Sequence, residues 1–205
     1  MRFKVHRMVL GTWVIAAGLL LGTALTGCKT AELYRPGYDK RLTQQNWAAR
    51  GSDDAVVIIG GYNSVWQKAD DPSYHFEARQ RFRIDWTHTF DAELVKAGTY
   101  QLQTLVLPDN NYADFGGFQG LGAQDQAQIA TFQVGPGQVV YVGDLDAAVL
   151  VEAVGTCSAN LSAGDSYATV VRAFGKQVPY VGRQPTISMM TVNQSLVRFP
   201  CGQAY

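Results

Sequence analysis

The chain has 205 residues, with 17 basic and 17 acidic side chains and a formal net charge of zero. That length holds one domain with a sizeable core, and the even charge balance excludes a nucleic-acid partner gripped through its phosphates. Twenty-one glycines, 11% aromatic residues and only 17% charged residues, with many β-branched side chains, point to β structure.

The chain opens on Arg2, Lys4 and Arg7, followed by an apolar run from Met8 to Ala24 and then small residues and a cysteine. This order is the grammar of an export signal. As a helix the run would span about 25 Å, short of a hydrocarbon core of roughly 30 Å; an uncleaved single-span anchor is the alternative. The tetrad Leu25-Thr26-Gly27-Cys28 resembles the lipobox of bacterial lipoproteins. The resemblance implies a signal peptide over 1–27, a diacylglyceryl group on the Cys28 sulfur, and cleavage before Cys28, leaving it as the acylated (palmitate-type) first residue. Acyl chains contribute about 0.8 kcal/mol per buried CH₂, so several of them anchor the chain durably. Lys29 in place of Asp implies, in a Gram-negative host, forwarding to the outer membrane with the body on its periplasmic face. Loss of 27 of the 205 residues leaves 178, with 14 basic against 17 acidic side chains and a formal charge of −3.

Residues 28–52 read as a polar tether containing Pro36 and Gly37, with Trp47 marking the first touch on a body that runs over 53–205. Val56-Val57-Ile58-Ile59 before Gly60-Gly61 predicts a short buried strand ended by a turn. From Phe76 to Phe90 apolar residues hold most even positions and Arg79, Arg81 and Arg83 fall on odd ones. That alternation predicts a single long strand with one face in a core and one in water. It places the arginines about 6.8 Å apart in a row. Such a row needs anions, either acidic residues on neighbouring strands or an external acidic partner or lipid headgroup. His88 lies on the apolar face of this strand, where a core or core-edge histidine is expected. His75 stands in a loop with no acid or nucleophile at a useful spacing.

Gly98 opens a strand with Tyr100, Leu102, Thr104 and Val106 on one side. Residues 109–128 form a long loop that displays Tyr112, Phe115 and Phe118, offered either to a partner or to the end of the sandwich. Its glycines, Gly116 to Gly122, lack the preceding strand and the Lys-Ser or Lys-Thr of a phosphate loop. Strands over 129–134 and 138–143 are joined by Gly135-Pro136-Gly137, a composition that suits a hairpin. Residues 146–154 lean towards β. Asp165 is the expected N-cap of one covering helix, about 165–175, which Gly175 and Pro179 end. A last strand, over 186–192 or 195–199, carries the chain to Cys201.

Gly98-Thr99-Tyr100-Gln101-Leu102, Phe132-Gln133-Val134 with Gly137, and Val139-Val140-Tyr141-Val142-Gly143-Asp144-Leu145 resemble a half-sandwich that recurs in uncharacterised bacterial lipoproteins. The resemblance implies a transthyretin-like or immunoglobulin-like body, and it carries over no catalytic residue. The expected fold is mainly β, an antiparallel sandwich with one covering helix. With Cys28 acylated, Cys157 and Cys201 remain. In an oxidising compartment they are expected to form a disulfide, with two unpaired buried thiols as the alternative.

No nucleophile elbow, His-Glu-x-x-His or Cys–His pair is present. The mature chain offers only His75 and His88 as nitrogen ligands, so neither a metal nor a cofactor is expected. The reading is a non-enzymatic binding or scaffolding lipoprotein of the cell envelope. Its partners would be the membrane, through Cys28, and another envelope protein. An envelope hydrolase or hydrolase inhibitor with a cleft near 109–128 is the alternative.

Overall fold

A computed structural model describes residues 40–85, 88–106, 112–114, 128–153 and 156–200. The leader, Cys28 and the tether up to residue 39 lie outside the described residues, as do Phe115, Phe118 and Cys201.

The fold is mainly β, two sheets packed as a sandwich, and its organising strand is β1 (Asp54–Gly61). Ala55 to Gly60 are all buried because this strand faces a core on each side. Val57 and Ile59 enter the space between the sheets with Trp66, Phe76, Tyr100 and Phe132. Val56 and Ile58 enter a second core with Leu42, Trp47, Tyr141, Val170 and Phe174. A strand covered on both faces reads as an unbroken apolar run, as 56–59 does.

β1 pairs antiparallel with β5 (Thr89–Lys96) and parallel with β9 (Val139–Ala153). β10 (Thr156–Gly164) and β13 (Leu196–Pro200) extend this sheet on the β9 side, and β4 (Phe82–Arg83) closes the other end. The short β11 (Thr186–Ile187) also lies on β9. The opposing sheet runs β12 (Thr191–Val192), β8 (Ala130–Val134), β6 (Gly98–Val106), β2 (Ser64–Lys68) and β3 (Asp71–Ala78). The three-residue β7 (Tyr112–Asp114) pairs with β6.

Three sequence expectations change here. The run 76–90 is not one strand: β3 ends at Ala78, Gln80 takes φ 54°, and β4 and β5 follow in the other sheet. Phe76 and Ala78 fill the inter-sheet core, whereas Phe82 stacks on Phe90 at 4.9 Å beside the second core. Period-two alternation continued across the break because each arm has one buried face. Residues 135–137 form no hairpin; they arch from β8 in one sheet to β9 in the other. Gly137 sits at φ 67° and its N–H donates to the Asp54 carbonyl at 2.9 Å. In β6 the inward positions shift from Tyr100 and Leu102 to Leu105. The register against β2 slips there, with Trp66 opposite Leu102 but Val65 opposite Thr104, so Gln103 is the extra residue of a bulge.

Residues 40–49 are packed on the body. The Leu94 N–H donates to the Lys40 carbonyl at 2.7 Å and the Leu42 N–H to Ala92 at 2.8 Å. Helix α1 (Gln44–Ala48) follows, closed by a Thr43–Asn46 capping box and burying Trp47. The covering helix α2 is Tyr167–Gln177. Ser166 stands at the N-cap, while the Asp165 carboxylate accepts the Tyr167 N–H at 2.9 Å. Val170, Ala173 and Phe174 are its buried face. The chain then passes through Pro179 into a 3₁₀ turn that ends at Gly182, φ 63°.

Candidate functional site

Two places concentrate chemistry. The first lies where the chain crosses between the sheets. On β5 the odd positions face the inter-sheet space, so Asp91 and Glu93 are fully buried beside Val95. The crossing segment lays Arg79 and Arg81 over them. Arg81 Nη1 donates to Asp91 Oδ2 at 2.9 Å and also to Glu93 Oε1. The Arg79 N–H donates to Asp91 Oδ2 at 2.6 Å, and its Nη2 to Glu77 Oε2 at 2.7 Å. Two guanidiniums thus meet three carboxylates. Burial pushes the Glu93 carboxyl well above its usual range, with the Asp91 charge adding to the effect and Arg81 opposing it. The arrangement clasps one sheet to the other, because β3, which carries Glu77, and β5 belong to different sheets.

The expected basic row therefore does not form. Arg79 and Arg81 lie between strands, with their charges turned to internal carboxylates, and Arg83 alone is on an exposed β4 position, its Nε donating to the Asp85 carbonyl at 3.1 Å. His88 also differs from expectation: it is exposed, and its Nδ1 lies 3.0 Å from the Asp85 carboxylate in the β4–β5 turn. Its strand position in the sequence pattern dissolves once the turn at Ile84–Asp85 interrupts the run.

The second place is the far end of the β9–β10–β13 ribbon. β10 pairs with β9 from Asp144 to Ala153 and with β13 from Leu196 to Pro200. The register aligns Leu150, Ser158 and Arg198 in one row and Ala148, Asn160 and Leu196 in the next. Residues directly opposite share a face, so Leu150 and Leu196 stand on one side of the ribbon, 58% and 43% exposed. Val151, on the other side, is 76% exposed. Glu152 and Arg198 pair across the tip at 3.1 Å. Nothing in the sequence singled these residues out except that Ala147–Val151 is an apolar run between Asp146 and Glu152.

Of the other sequence-based candidates, Cys157 is buried on β10 opposite Phe199. Cys28, Cys201, Phe115 and Phe118 lie outside the described residues, and Tyr112 is described only as backbone paired with Val106. An open groove of about 420 Å³ lies along α2, lined by Arg172, Val178, Pro179 and Arg183 among others. No protein-family model matches the chain, and no match was found among curated proteins or solved structures, so the functional reading rests on this geometry.

Proposed function

We propose that this chain is a lipid-anchored, non-enzymatic binding module of the bacterial envelope. Cys28 holds it in the membrane, the outer one in a Gram-negative host, and the β9–β10–β13 ribbon meets a protein partner. The leader and its Leu25-Thr26-Gly27-Cys28 tetrad support the address. One observation carries the binding role. Leu150, Val151 and Leu196 are three of the four large apolar side chains most exposed among the described residues, and all sit on one ribbon, Leu150 and Leu196 on one face and Val151 on the other. Exposed apolar side chains gathered in one place mark an interaction site, whereas single ones scattered on a surface are ordinary.

The test is a double substitution, Leu150→Ser with Leu196→Ser, in the full-length acylated protein. Both sites are exposed, so melting should move by no more than about 0.5 kcal/mol in stability. A photocrosslinking residue at Ala148, on the same face, should join wild type to a discrete partner in intact cells, and the double variant should lose that product. Identical crosslinking by both proteins would discard the ribbon as the docking surface.

A further inference from the structure

On its inner side β9 changes neighbour partway along. Its parallel pairing with β1 ends where Gly61 faces Leu145, and the last bond is the Tyr62 N–H to the Leu145 carbonyl at 2.8 Å. From Asp146 to Ala153 β10 covers one side of the strand, and no strand among the described residues covers the other. Eight residues at about 3.3 Å each leave roughly 26 Å of backbone with donors and acceptors on offer.

Proteins usually blunt such an edge with lysine, proline or a bulge. Ala147-Ala148-Val149-Leu150-Val151 has no charge and no proline, and its register against β10 is regular from Leu145–Ala163 through Val151–Cys157, with a bulge only beyond it at Glu152. The charges stand at the ends, Asp144 and Asp146 on one side and Glu152, held by Arg198 at 3.1 Å, on the other. The edge is apolar in the middle and acidic at its Asp146 end.

We propose that the open side of β9, Asp146–Ala153, takes up an extended strand of a partner protein whose apolar residues are flanked by lysine or arginine. The inference rests on the binding role assigned to the ribbon and adds the mode and the charge of the partner. In strand addition the backbone supplies affinity and flanking side chains supply selection. A second copy of this chain fits less well. The two-fold antiparallel self-pairing centred on Val149 sets Asp146 of each copy opposite Glu152 of the other, and like charges directly opposite are destabilising.

The test uses the acylated full-length chain in detergent micelles and a fluorescein-labelled peptide, Lys-Thr-Val-Thr-Val-Thr-Val-Lys, read by anisotropy. Two control peptides carry glutamate at both ends, or N-methyl groups on the valines. The lysine-flanked peptide should bind about tenfold more tightly than the glutamate-flanked one at low salt, with the gap narrowing as salt screens the ends. Methylation removes backbone donors and should weaken binding about tenfold. Val151→Lys, at an exposed position, should leave melting unchanged and abolish binding. Equal binding of methylated and unmethylated peptides would overturn strand addition while leaving the ribbon as a side-chain docking face. Absence of peptide binding with the Ala148 crosslink retained would likewise overturn it. A concentration-dependent dimer, seen by sedimentation and abolished by Val151→Lys, would assign the edge to a second copy instead.

Discussion

Substitution of Arg81 and Glu93 probes the clasp between the sheets from both sides. Arg81 lies between Asp91 and Glu93, which have no exposure to solvent. Arg81→Met removes the cation and leaves two carboxylates confined together, a change that costs about 3–5 kcal/mol when one partner of a buried pair is lost. Glu93→Gln keeps an oxygen for Arg81 and cannot ionise. The sign of its effect follows from protonation. Burial and the Asp91 charge raise the Glu93 carboxyl above its usual 4.5, so the folded chain holds a proton that the unfolded chain has released. The stability this proton confers is complete below about pH 4.5 and is lost as pH rises through the folded value. Each unit of separation amounts to about 1.4 kcal/mol.

Wild type should therefore weaken between pH 5 and pH 8, and Glu93→Gln should lack that slope. At pH 8 the Gln variant should be more stable than wild type, the gap closing towards pH 5. Urea unfolding followed by tryptophan fluorescence at three pH values measures it, since Trp66 is buried in the inter-sheet core. A Gln variant more than about 1 kcal/mol weaker than wild type at pH 8 would refute the reasoning, as would parallel pH profiles.

The remaining predictions concern the anchor, the cysteines and one glycine. Cys28→Ala should leave an unacylated, uncleaved precursor, and mass spectrometry of the mature N-terminus checks it. Replacing Cys157 or Cys201 should lower stability by about 2–5 kcal/mol if the two are bridged. Cys201 lies outside the described residues, and thiol labelling of the unreduced, denatured chain decides it. Gly61 has φ 84°, and a Cβ there would stand 2.2 Å from the Leu145 carbonyl oxygen. Gly61→Ala should cost more than the roughly 1–3 kcal/mol of backbone strain alone, read as a lowered melting temperature.

Much of the sandwich was legible because burial on both faces leaves an unbroken apolar run, as at 56–59, and because Tyr167, Val170 and Phe174 keep helical spacing. Arg79 to Arg83 were misplaced for a definite reason. Alternation reports which residues share a side, but not whether the chain has changed sheets between them. Gln80 in a left-handed conformation gives no compositional sign of the break. The signal that could have found the clasp continues past Phe90, where Asp91 and Glu93 fall on alternate positions as Arg79 and Arg81 do. A second row of opposite charge, one hairpin away, is what two facing arms require. The open edge of β9 escaped because only topology reveals where β1 stops beside it.

The parallel pairing of β1 with β9 governs the order in which this molecule can be assembled. Val56 meets Val139, so roughly eighty residues must be available before that side of the central strand is closed. The antiparallel neighbour β5 arrives much sooner, and a β1–β5 unit would wait with its most apolar strand half covered. Pairings between such distant segments are slow to form and leave edges open to aggregation meanwhile. A chain that folds as it emerges N-terminus first holds that state until Val139 is available to β1.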